Sequence, residues 1–238
     1  MTERILFVLT SCDGFEAGGE TRETGFYMDE MAAPYWALRD AGYAVDFASI
    51  AGGKAPVDPS SIAEDAAERP AAVTRFMADD GAMAALETTM SVSEAKAADY
   101  AAVFLPGGHG TMFDFRQNSD LTALTSAAWQ GGAVLGAVCH GPAGLIEAVD
   151  AEGKPVIAGR RVNGFTDAEE EAVGLTEAVP YLLETQLRAK GAIFEHGRVF
   201  EEYAVRDGRL VTGQNPQSAE AVARLMIEAL GTGRAEAA

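Results

Sequence analysis

The chain has 238 residues, with 36 acidic against 18 basic side chains and a formal charge of -18. It is long enough to bury a full core in one α/β domain, and without a Lys/Arg cluster it makes nucleic acid and anionic membrane surfaces poor partners. Two distant cysteines build no disulfide framework, no stretch has the length of a membrane span, and Met1 to Arg4 lead straight into an apolar run, so no secretory signal and a reducing, cytoplasmic location are expected.

Residues 4–10 (RILFVLT) read as a buried central strand. The Gly-rich loop 11–25 follows at the carboxyl end of that strand, where open α/β sheets bind ligands. It carries Cys12, read as an incidental thiol. A helix is predicted over 27–40, stopped by Gly42 and kinked or restarted at Pro34. Glu30 lies in its first turns, beside the loop mouth.

Residues 43–49 form a second strand, and 50–61 are loop. A polar, Ala-rich helical insertion is expected over about 62–90, with Arg75, Phe76, Met77, Met83 and Leu86 as inward contacts. Residues 99–105 form a third strong strand that runs into Pro106-Gly107-Gly108-His109-Gly110. This loop lacks the G-x-G-x-x-G spacing and has no Lys, which argues against a dinucleotide or P-loop site. Its glycines suit a backbone that points N–H groups at an anion, with Gly108 the natural oxyanion donor. A helix over 120–130 leads into the strand 133–138.

That strand ends in Cys139 and His140, and a helix is predicted at once over 142–148. Strand, sharp turn and helix with a thiol at the corner describe a nucleophile elbow written with Cys in place of Ser. A helix N-terminus at that point favours thiolate over thiol. Beyond the elbow, 154–162 read as two short strands turning at Gly159. Residues 163–166 cap a helix that carries Glu169, Glu170 and Glu171. A helix over 180–190, a hairpin around Asp207-Gly208 and a last helix over 219–230 complete the chain, with 234–238 a frayed tail.

Alternating strands and helices predict an α/β fold with a doubly wound, mostly parallel sheet flanked by helices. Gly108, Glu30 and His140 can then gather around Cys139. A carboxylate at Glu30 would repel a thiolate, so Glu30 fits better protonated, donating to sulfur and available for acid–base work. His140 needs an acid to set its tautomer, and the three glutamates are its candidates. No spacing resembles a zinc site, so no metal is expected.

The elbow AVCHGPA, the helix TGFYMDEMAAPY, the loop LPGGHG, the segment VNGFTDAEE and the terminal GRLVTGQNPQS together resemble the ThiJ/PfpI superfamily. Within it they are most similar to the branch of heat-shock chaperones and glutathione-independent glyoxalases (glyoxalase III). The resemblance covers nearly the whole chain. It implies a single domain over 1–238 with the flavodoxin-like fold of class I glutamine amidotransferases, a homodimer, and no cofactor. It also implies that Cys139 is the nucleophile, Glu30 its partner acid, and His140 a base completed by Glu170. The run of three glutamates leaves that last assignment open by one residue.

The implied reaction is conversion of methylglyoxal, a small dicarbonyl, to lactate, with Gly108 and His140 N–H groups facing the oxyanion. The alternatives on the same cysteine are a holdase chaperone, a redox sensor, or a deglycase or amidase-type hydrolase. A true glutamine amidotransferase is disfavoured, because the only later histidine, His196, is not closely followed by Glu.

Overall fold

The computed structural model describes residues 2–236. β1 (Arg4–Leu9) buries five consecutive residues completely, Ile5 through Leu9, as an uninterrupted apolar run at the centre of a covered sheet must. The following loop contains an unexpected hairpin, β2 (Gly14–Ala17) and β3 (Glu20–Glu23), which sets Phe15 opposite Arg22. Its turn residues Gly18 and Gly19 both have positive φ, 63° and 87°, the geometry that tight hairpins require.

α1 (Met28–Asp40) passes through Pro34 as one helix, where a kink or restart was expected. Proline removes only one helical hydrogen bond, and Pro34 is itself buried. After β4 (Ala44–Ser49), the insertion holds α2 (Ala71–Met77) and α3 (Asp80–Glu87), whose inward residues are Val73, Phe76, Ala82 and Leu86. Arg75, expected inward, lies on the surface instead. Its guanidinium covers the Trp36 ring at 3.7 Å and pairs with Asp40.

A short β5 (Met90–Ser91) precedes β6 (Ala102–Leu105), α4 (Thr111–Asp114), α5 (Ser119–Gln130) and β7 (Val134–Val138). In place of an α-helix over 142–148 the chain makes a buried 3-10 segment, Gly141–Leu145. The segment is pressed against β6 so closely that a Cβ on Gly141 would overlap the Leu105 carbonyl.

Of the two strands expected over 154–162 only β8 (Arg161–Val162) forms. Pro155 has no N–H to give a ladder, and Gly159 turns with φ 73°. α6 (Asp167–Ala172), α7 (Leu183–Ala189) and β9 (Ile193–Phe194), the parallel partner of β8, follow. β10 (Ala204–Asp207), β11 (Leu210–Gly213) and α8 (Ala219–Glu236) end the fold. The expected frayed tail is therefore helical to Glu236, and residues 237–238 lie outside the described residues.

The main sheet runs β10-β11-β7-β6-β1-β4-β5, parallel throughout except for β10 against β11. From β1 the chain crosses to β4 through α1, and from β6 it crosses the opposite way to β7 through α5. Right-handed crossovers in opposite directions put these helices on opposite faces of the sheet. α8 lies beside α1, with Met226 against Gly136 of β7. The winding direction reverses beside β1, so the loops after β1, β6 and β7 meet at one carboxyl-end crevice. Among the described residues no helix is long and apolar enough to cross a membrane.

Candidate active site

Cys139 follows directly on β7 with φ 59°, a left-handed conformation that few non-glycine residues adopt. The surroundings hold it there: its N–H donates to Gly213 O at 2.9 Å, and its own carbonyl accepts from Phe165 N–H at 2.8 Å. Cys139 thus stands at the sharp turn between β7 and the 3-10 segment Gly141–Leu145. The Cys139 Sγ lies 3.4 Å from His140 Nδ1, and His140 Nε2 lies 2.8 Å from Glu170 Oε2. All three side chains are buried.

The run of three glutamates divides into three fates. Glu169 completes a capping box with Thr166 at the start of α6. Its Oε1 also accepts from Phe200 N–H, Gln214 Nε2 and Asn215 Nδ2. Glu171 is exposed. Glu170, one position on from the cap, is the acid that reaches His140.

Glu30 reaches the same thiol from α1. It is fully buried, its Oε2 accepts from Gly107 N–H at 2.8 Å, and its Oε1 has no hydrogen-bond partner of normal geometry. Burial pushes this carboxyl up to about 8, so at neutral pH it holds its proton. Burial, and after it the Glu30 charge, push the Cys139 thiol well above its ordinary value. With the proton on Glu30 the repulsive part disappears. The resting site is therefore a neutral acid beside a masked thiol, in place of the thiolate expected from a helix terminus. A short 3-10 segment has little dipole to offer, and burial outweighs it.

Gly107 and Gly108 make this proximity possible. A Cβ on Gly107 would fall 2.7 Å from both Glu30 Oε2 and His140 N. Gly108 has φ 108°, and a Cβ there would overlap the Gly25 carbonyl. Among the described residues no protein acceptor takes the N–H of Gly108, while the His140 N–H lies against the Cys139 sulfur, so both sit where a developing oxyanion on a carbon bonded to that sulfur would form.

His109, on the loop neighbouring Cys139, belongs to the same cluster, although its sequence assigns it no catalytic role. Its Nε2 lies 2.9 Å from Glu170 Oε1, and its ring centroid is 4.3 Å from that of His140. One carboxylate thus serves two imidazoles, one oxygen each. Burial acts to raise Glu170, but the hydrogen bonds from the two histidines outweigh it and hold the carboxyl at about 2. His140 is lowered by burial and then by the His109 charge, which favours the neutral base. His109, His140 and Glu170 also form a constellation that could hold a metal ion, with ligand atoms within 4.8 Å of one another. In this arrangement each Nε2 already has a carboxylate oxygen as partner.

The cluster opens on a cavity of about 280 Å³ lined by Gly108, His109, Cys139, His140 and Phe165 among others. Cys12 and His196 lie outside it. Cys12 is half-buried and its thiol donates to Gly14 O at 3.3 Å, while His196 is exposed on another surface.

A cysteine at the turn after a central strand of a doubly wound sheet, with a histidine and a carboxylate beside it, places the chain among α/β proteins that carry a cysteine–histidine–glutamate cluster at the sheet's carboxyl end. Residues 23–229 match the DJ-1/PfpI family, and the chain belongs to that family. The glutathione-independent glyoxalase HSP31 of Saccharomyces cerevisiae is 33% identical over 235 residues, covering 96% of this chain and 98% of the relative. The structure of glyoxalase III from Candida albicans superimposes with a TM-score of 0.85 at 31% identity, over 95% of this chain and 97% of that one. The Rapid Encystment Protein of Francisella tularensis gives a TM-score of 0.89 at 33% identity, over 96% and 99%.

Proposed function

We propose that the protein is a glutathione-independent glyoxalase that converts methylglyoxal and water to lactate. The observation that carries this reading is the unbroken contact chain Cys139–His140–Glu170 facing a cavity, with protonated Glu30 on the other side of the thiol. The full-length similarity to relatives named as glutathione-independent glyoxalases supports it. A homodimer and a cytoplasmic location belong to the same reading through family membership.

His140 Nδ1 takes the thiol proton as Sγ bonds to the aldehyde carbon, and its Nε2–H stays on Glu170. The carbonyl electrons move to oxygen, which faces the N–H groups of Gly108 and His140 and takes a proton from Glu30. The Glu30 carboxylate so formed removes the hydrogen from the same carbon while the second carbonyl oxygen takes the proton held by His140, giving an enediol; Glu30 then delivers the hydrogen to the neighbouring carbon and takes back the proton of the first oxygen. The product is a thioester of Cys139. Water, deprotonated by a histidine, then attacks this thioester and expels the thiol, releasing lactate. No electrons leave or enter, so the reaction is an internal redox exchange between adjacent carbons.

A redox-sensor role has less support, since oxidation follows thiolate character and exposure and Cys139 has little of either. The test is lactate formation by the purified protein from methylglyoxal alone. Lactate that appears only after glutathione is added would refute the proposal.

A further inference from the structure

The catalytic cavity is larger than a three-carbon dicarbonyl needs. Its 280 Å³ would hold on the order of nine waters. Beyond the thiol, one wall is apolar, formed by Phe165, Val173, Leu175 and Phe200. Two of these are large hydrophobic side chains left open to solvent, Val173 at 39% and Phe200 at 40%. Phe200 stands at φ 58° with its N–H bonded to Glu169, which ties its backbone to the start of α6 at the cavity edge.

Arg22, from the β2–β3 hairpin, lines the same cavity. It is exposed and, among the described residues, has no ion pair or side-chain hydrogen bond. Asp58, the acid on that wall, is already engaged. Its Oδ2 accepts from Thr24 Oγ1 and its Oδ1 from Ser60 N and Oγ. A protein with net charge -18 repels anions on average. An unpaired guanidinium over a catalytic cavity is therefore a local exception, and guanidinium suits carboxylate or phosphate.

Resting on the glyoxalase reading, we infer that the cavity is built for 2-oxoaldehydes with a short hydrocarbon body ending in an anionic group, which Arg22 binds. The dicarbonyl end meets Cys139, the hydrocarbon body lies along Phe165 and Phe200, and the anion sits at the mouth.

A matched pair of substrates tests this: 2-oxohexanal and 5,6-dioxohexanoate, which share chain length and differ in the terminal carboxylate. The ratio of kcat/KM for the charged over the neutral compound exceeds one in the wild type and falls as salt is raised. In Arg22→Gln it drops about fivefold, the scale of one exposed ion pair, and in Arg22→Glu it drops further. The same ratio in all three proteins would overturn the inference. Methylglyoxal measured alongside reports on the parent reading. If the wild type turns over none of the three, that reading fails, and protection of Cys139 from iodoacetamide by 2-hydroxyadipate against 2-hydroxyhexanoate judges the subsite. Arg22-dependent preference for the diacid supports it, and equal protection overturns it.

Discussion

The imidazole of His109 meets Glu170 Oε1 at 2.9 Å, on the carboxylate oxygen that His140 leaves free. Two imidazoles on one carboxylate cannot both carry a proton charge cheaply, so the state of one sets the basicity of the other. His140 is buried against the thiol, while His109 is 17% exposed at the cavity. His109→Gln removes a charge that lowers His140. The acid limb of the kcat/KM profile then moves to higher pH, and kcat falls about tenfold, less than loss of a whole general acid–base group, because His140 itself remains. A pH–rate profile of the variant checks both.

Glu30 links activity to stability with opposite signs. Its pKa of about 8 in the fold lies above the ordinary 4.5, so the folded chain keeps a proton that the unfolded chain releases between those values. Stability therefore declines as pH rises through that window. Glu30→Gln removes the decline and stabilises the fold by on the order of 3 kcal/mol at pH 7. It also lowers kcat at least about a hundredfold, as loss of the proton carrier requires. Above about pH 8, where wild-type Glu30 is ionised, iodoacetamide labels Cys139 faster in the variant, because no Glu30 charge opposes the thiolate. Thermal melts at pH 5 and pH 8, beside labelling rates, read all three effects.

Neighbouring glutamates on α6 separate fold from chemistry. Glu169→Ala leaves Phe200 N–H, Gln214 and Asn215 without their acceptor and costs about 3 kcal/mol. Glu170→Gln keeps hydrogen-bonding capacity at its position and holds Tm within a few degrees, yet it loses activity about a hundredfold as the His140 tautomer is no longer fixed. A Tm measurement beside a turnover assay on each variant distinguishes the two.

Gly108→Ala forces a side chain into a positive φ and into the Gly25 carbonyl. The loop must shift, and with it the N–H proposed to face the oxyanion. The expected loss in kcat is about a hundredfold or more, with KM changed less. Retained kcat in a folded Gly108→Ala protein would remove Gly108 from the oxyanion site.

Much of this site is written locally. The apolar run of β7 broken by Cys139 marks the elbow, and Glu30 is legible because α1 starts at the crevice. The pattern Thr166-Asp167-Ala168-Glu169 is itself a capping box, so the sequence held the information that Glu169 caps the helix and Glu170 is free to face His140. Gly18-Gly19 likewise announces the hairpin that carries Arg22, a signal passed over when the segment is read only as loop. His109 escaped because its loop was read for its glycines. The protonated Glu30 was legible from its repulsion of a thiolate, but the burial that masks the thiol was not. Burial of Glu30 and Cys139 depends on how α1, β6 and β7 converge, and that convergence outweighs the local helix-terminus argument.

The most direct measurement is lactate formation from methylglyoxal without glutathione, run side by side on wild type, Cys12→Ala and Cys139→Ala. Full turnover in the wild type and the Cys12 variant, with none in Cys139→Ala, is the expected result. Turnover that persists in Cys139→Ala would contradict attack by the elbow thiol and with it the proposed chemistry.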